Sequence, residues 1–181
     1  MPKQLPAAAI KTRFFSYRFI VLVALLLVLA LLSVVTFNRI ATHVPDVTFT
    51  TITGQKIALK ALLGKPVIVT FWATDCPGCI KEIPLLIDLY SQYHQQGLEI
   101  IAVAMHYDPP NHVIAMTQDQ QLPYPVALDL TGEHAHAFGD VQLIPSTFLI
   151  TPDGLIALKK IGVLDPAEIK TLIKPLLNPS P

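Results

Sequence analysis

The stretch Phe71-Trp72-Ala73-Thr74-Asp75-Cys76-Pro77-Gly78-Cys79 holds the only two cysteines of a 181-residue chain, set three positions apart. The apolar run Val67 to Trp72 before it reads as a buried strand, and Ile80 to Gln95 after it reads as a helix. The pair therefore falls on a strand-to-helix turn, with Cys76 at or just before the helix start. Free N–H groups and the positive end of the helix dipole stabilise an anion there, which for a cysteine means a lowered pKa and more thiolate. A thiolate is the species that attacks disulfides. Cys76 is then the candidate nucleophile, and Cys79, one turn further in, the candidate resolving thiol. Two other roles compete, a zinc half-site and a plain structural disulfide. Zinc takes four ligands, and no second cysteine pair follows. A bridge closing so short a loop removes little entropy from the unfolded chain.

A second feature divides the chain. Apolar residues make up 52% of it, and the excess is local: residues 19–37 read FIVLVALLLVLALLSVVTF, with only Ser33 and Thr36 polar. As a helix this run would span roughly 28 Å, close to the hydrocarbon thickness of a bilayer. It reads as a transmembrane anchor. A cleaved signal peptide would have a shorter apolar core and a small-x-small site, whereas Asn38-Arg39-Ile40-Ala41-Thr42-His43 follows here. Lys3, Lys11, Arg13 and Arg18 precede the run and only Arg39 follows it closely, so the positive-inside rule puts residues 1–18 in the cytoplasm and the remainder outside. From Ala41 onward there are 8 lysines, no arginine and 13 acids, a formal −5 hidden within an overall charge of zero. A basic nucleic-acid footprint is absent from that part. In a bacterium the expected location is the inner membrane, single-pass, with the domain in the periplasm or on the outer face, an oxidising compartment.

Residues 38–45 read as a linker, 46–178 as one domain and 179–181 as a frayed tail. Val47 to Ile52 and Gln55 to Leu59 alternate as the two strands of a hairpin around Thr53-Gly54. Pro84 interrupts the helix after the cysteines, where it predicts a kink or the start of a second segment. Leu98 to Met105 predicts another buried strand, Asp108 to Gln121 a helix, Val126 to Leu128 a short strand and Gly132 to Phe138 a short helix. Val141 to Ile150 sets Pro145 directly against a strand. Pro152-Asp153-Gly154 marks a turn, Leu155 to Ile161 a returning strand, and Asp165-Pro166 the start of a terminal helix. The order predicts an α/β fold with a mixed sheet flanked by helices, an extra N-terminal β-hairpin and a central strand-helix insertion from Tyr124 to Phe138.

With these elements placed, the sequence resembles the thioredoxin fold and, more narrowly, the membrane-anchored thiol-disulfide oxidoreductases of the TlpA/ResA/CcmG type. FWATDCPGC is similar to the family's Phe-Trp-Ala-x-x-Cys-x-x-Cys. Pro84 matches its helix proline, Ile144-Pro145-Ser146-Thr147-Phe148-Leu149-Ile150 its Pro-Thr-Thr-Phe run, and Asp153-Gly154 its turn. The resemblance implies a cis bond before Pro145 facing the cysteines and an outward-turned Ile144 backbone for an extended substrate. It also implies an acidic partner, Glu82, exchanging a proton with Cys79. Trp72, Asp75, Pro77, Gly78 and Ile144 become the expected substrate-binding residues. Cys76, Cys79, Glu82 and Pro145 become the expected catalytic ones, with no metal and no cofactor beyond the redox-active Cys76–Cys79 disulfide.

Two departures stand out. Thioredoxin carries a buried aspartate six residues before its first cysteine, where this chain has Thr70. The family's usual tryptophan before the first cysteine is Asp75 here, whose charge should raise the Cys76 pKa against the helix dipole. Histidines 106, 112, 134 and 136 read as surface residues. The implied activity is reduction of disulfides in exported proteins, as in cytochrome c maturation or copper-site assembly, with electrons from a membrane thiol reductase. The alternatives are an oxidising exchange protein and a copper-binding chaperone, although the latter uses Cys-x-x-x-Cys. A peroxiredoxin would need Thr or Ser where Ala73 stands.

Overall fold

A computed structural model of the chain describes residues 19–30 and 43–177. The chain divides into two compact units, Met1–Thr42 and His43–Pro181. In the first, residues 19–30 form helix α1, whose side chains are all apolar and exposed. Among the described residues no helix is long and apolar enough to cross a membrane. Residues 31–37 of the expected anchor, the tail 1–18, residues 38–42 of the linker and the last four residues lie outside the described part.

The second unit is built on a five-stranded mixed sheet. Its strands are β3 (Val67–Trp72), β4 (Glu99–Ala104), β5 (Val126–Leu128), β6 (Ser146–Ile150) and β7 (Ile156–Ile161), in the order β5-β4-β3-β6-β7. Parallel ladders join β3 to β4 and β4 to β5, while β6 and β7 run antiparallel. All six residues of central β3 are buried because both sheet faces are covered. Side chains alternate between those faces. Ile68 and Trp72 pack with α2 (Pro77–Tyr93), α3 (Pro110–Asp119) and α5 (Pro166–Ile173) through Leu86, Leu89, Val113 and Ile169. Val67, Val69 and Phe71 face the opposite way, against Phe49, Leu59 and Phe138.

The N-terminal hairpin and the inserted strand and helix both form. Strands β1 (Thr48–Thr50) and β2 (Lys56–Ala58) pair as their own two-stranded sheet. It is tied to β5 by a Thr51–Ala127 bridge and by Ile52 N–H donating to the Val126 carbonyl at 2.8 Å. The short α4 (Glu133–Ala137) closes the face that the hairpin leaves open.

Pro84 does not open a second segment, because one helix runs through it from Pro77 to Tyr93. Proline costs a single backbone bond to the carbonyl four residues earlier. The buried positions Ile83, Leu86, Leu89 and Tyr93 continue the apolar face past it. That helix starts three residues before the predicted Ile80. Pro77 holds the first helical position, where its missing N–H costs nothing.

Candidate active site

Strand β3 ends at Trp72, and the chain must turn before α2 begins. The turn is held by Asp108, a carboxylate only 6% exposed on the loop after β4. Thr74 donates to it twice, from its backbone N–H to Oδ2 at 2.6 Å and from its hydroxyl to Oδ1 at 2.7 Å. The sequence pattern marked Asp108 only as a helix start. Its clamp on Thr74 joins segments 34 residues apart, which local reasoning does not reach.

Two residues later Cys76 is the N-cap of α2 in extended conformation, and its sulfur accepts from the Cys79 N–H at 3.1 Å. Cys76 and Cys79 are joined in a disulfide, with Cα atoms 5.2 Å apart. Cys76 is half-buried, whereas Cys79 is 3% exposed. Cys76 is thus the reachable member of the pair and Cys79 the enclosed one. The helix N-terminus lies against the reachable one, where a thiolate is stabilised.

The Ile144–Pro145 bond is cis. Pro145 is buried against the start of α2, since a Cβ placed on Gly78 would lie 3.3 Å from its Cδ and 3.5 Å from Val163 Cγ2. That contact leaves little room for a side chain at position 78. Ile144 is half-buried, and Asp75 and Pro77 are exposed beside Cys76. Tyr107, 51% exposed, stands near Asp75; its phenol pKa is raised by partial burial and by the charges of Asp75 and Asp108. Trp72, expected among the substrate-contacting residues, is 4% exposed and packs with Cys79 in the core. It meets the site from below because β3 is covered on both faces.

Glu82 lies one turn beyond Cys79 and is 2% exposed. Burial pushes its carboxyl pKa up, opposed by the Leu164 N–H that donates to Oε1 at 2.8 Å. It shares a small cavity with Trp72, Cys79 and Tyr124. Thr70 is buried and its hydroxyl pairs with that of Thr147 on β6 at 2.9 Å. A neutral pair thus occupies the position where thioredoxin carries an acid. Of the histidines, His134 departs from the surface expectation, half-buried with its ring 4.9 Å from that of Phe49. Among the described residues no three His, Cys, Asp or Glu side chains gather to hold a metal.

The family description "AhpC/TSA family" matches residues 40–159, about two thirds of the chain. The chain belongs to the AhpC/TSA family. Within it, this member is similar to thiol-disulfide oxidoreductase ResA of Bacillus thuringiensis subsp. konkukian, 37% identical over 121 residues that cover 65% of this chain and 67% of the relative. ResA of Bacillus subtilis is 34% identical over 125 residues, covering 67% and 69%. Among solved structures, a thioredoxin-family thiol:disulfide interchange protein from Chlorobium tepidum TLS superposes with a TM-score of 0.69 at 27% identity, covering 75% of this chain and 96% of that one. The fold is thioredoxin-like and the protein is a thiol-disulfide oxidoreductase.

Proposed function

We propose that this AhpC/TSA member is a membrane-anchored reductant of disulfides in exported proteins. The observation that carries this reading is the disulfide at the α2 N-terminus, with one half-buried cysteine and one enclosed. In the reduced enzyme the Cys76 thiolate attacks a substrate disulfide, and one substrate sulfur leaves as a thiolate that takes up a proton. The mixed disulfide is resolved when Cys79 gives its proton to the Glu82 carboxylate and attacks the Cys76 sulfur. The second substrate sulfur then leaves as a thiolate that takes up the proton held by Glu82, and the Cys76–Cys79 bond closes. Two electrons have passed to the substrate, and a donor dithiol, assigned here to a membrane thiol reductase, must restore the enzyme. Pro145 and Ile144 line the approach to Cys76, where extended backbone can pair, and Asp75, Pro77 and Gly78 border it.

Anchoring is supported by the apolar run at 19–37 and by basic residues on its N-terminal side only. The ResA relatives support thiol-disulfide exchange as the reaction, and the family resemblance of the sequence assigns an apocytochrome or another exported protein with a cysteine pair as substrate. The test is trapping in the host. Cys79→Ser should hold substrates covalently on Cys76 in the membrane fraction, and those captured should be exported proteins with paired cysteines. Capture of cytoplasmic proteins alone would overturn the location. A reduction potential near about −120 mV, at the oxidant end of the thioredoxin-like range, would overturn the direction.

A further inference from the structure

Packing an apolar face against α2 carries polar atoms into the core, and each of them needs a partner there. Between β3 and α2 a cavity of ≈ 10 Å³ remains, with Trp72, Cys79, Glu82 and Tyr124 in its walls. Trp72 is 4% exposed, and its indole Nε1 is the one buried side-chain nitrogen or oxygen without a hydrogen-bond partner among the described residues. Tyr124 is also 4% exposed. Burial raises its phenol pKa first and the Glu82 charge raises it further, so the two groups are neighbours. No direct hydrogen bond joins them among the described residues, where Glu82 accepts only from Leu164, through Oε1.

The volume is close to the least that holds one water, and a buried water needs two to four polar partners. We propose that the cavity is a site for one water that accepts from Trp72 Nε1 and the Tyr124 hydroxyl and donates to the Glu82 carboxylate, making Tyr124 a positioning residue for proton exchange with Cys79. The inference rests on the reading of Glu82 given above. Polar contacts that miss direct distance are commonly bridged in this way at little cost. Two donors acting through one water stabilise the carboxylate form, against the burial that disfavours it. The other groups facing Glu82 leave that role to Tyr124. From the loop before α5 comes the Leu164 N–H, β3 presents Thr70, already paired with Thr147, and β4 presents Ala102. Besides Glu82 itself, Cys79 and Tyr124 are the titratable side chains in the cavity wall.

Tyr124→Phe in the full chain removes the hydroxyl and keeps the ring that packs edge-on to Tyr90 at 6.0 Å. The assay is stopped-flow closure of the reduced enzyme's disulfide by excess oxidised glutathione across the acid-to-neutral range. It is read by fluorescence of Trp72, the only tryptophan of the chain. The acid limb that Glu82→Gln abolishes should move to higher pH in Tyr124→Phe, with the rate below its midpoint lower by about three- to tenfold, the reach of one hydrogen bond. The pH-dependent change in Trp72 emission should move with it. Trp72→Phe, followed by thiol quantification instead of emission, should shift the limb in the same direction. The inference is overturned if Glu82→Gln abolishes the limb while both other variants leave its midpoint in place. Should Glu82→Gln itself leave the limb intact, the proton-exchange reading falls first and takes the water site with it.

Discussion

Replacing Asp108 should loosen the catalytic turn without touching either sulfur. The carboxylate accepts from both the N–H and the hydroxyl of Thr74, at 2.6 and 2.7 Å, in a position 6% exposed. A hydrogen bond to a charged group contributes about 1.5–3 kcal/mol, and a donor left unpaired in a buried place costs its desolvation. Two such bonds sharing one acceptor group are not independent, so Asp108→Ala should cost about 3 kcal/mol and not the full sum. Asp108→Asn keeps one acceptor oxygen and turns an amide N–H₂ toward the other donor, so it should recover less than half of that loss. At roughly 4 °C per kcal/mol for a domain of this size, the alanine variant should melt about 12 °C lower. Urea unfolding of the full chain, followed by Trp72 fluorescence, gives the free energies directly, with an unchanged m-value showing that the transition keeps its character. Since Thr74 stands two residues before Cys76, the rate constant for disulfide exchange should fall together with stability. An alanine variant within about 0.5 kcal/mol of the parent and equally fast, when surface substitutions of no structural consequence lie in that range, would show that the clamp does not hold the turn.

Three further outcomes follow from the same structure. Glu82→Gln should stabilise the domain at neutral pH and lose that advantage in acid. The folded state raises the Glu82 pKa, so its contribution is fully present below the unfolded value of 4.5 and is lost as pH rises through the folded one; denaturation midpoints across pH test the sign. Thr70→Val alone should cost about 1–2 kcal/mol by leaving the Thr147 hydroxyl buried and unpaired. The Thr70→Val/Thr147→Val double variant should recover most of that loss, since removing both partners costs little, and a double-mutant cycle in urea measures it. Asp75→Asn should lower the pKa of the reduced Cys76 thiol by removing a negative charge beside it. Thiolate absorbance against pH reads the difference, and coincident titrations would dismiss the effect.

Much of the molecule could be read along the chain because the determining interactions are local. The six apolar residues Val67 to Trp72 suit a strand covered on both faces, and Pro77 suits the first turn of a helix. A cysteine pair spaced by one helical turn closes on itself with no help from afar. The family resemblance rested on such short runs, and it led to Pro145 and Glu82. Pro84 shows where this kind of reasoning stops. Proline disfavours a helix locally, yet the apolar face on either side of it is buried against β3, and packing outweighs one missing backbone bond.

The sequence by itself determined the element order, the redox pair and its place at the start of a helix. Only the tertiary structure decided which polar groups stand behind that pair: Asp108 beneath Thr74, Leu164 N–H on Glu82, Thr147 against Thr70, and Trp72 and Tyr124 around one cavity. The physical reason is one of range. Helix caps and strand alternation are set by neighbours a few residues apart, whereas these partners are 34, 82 and 77 residues away along the chain. Their pairing is forced when the core closes and bulk solvent can no longer serve them.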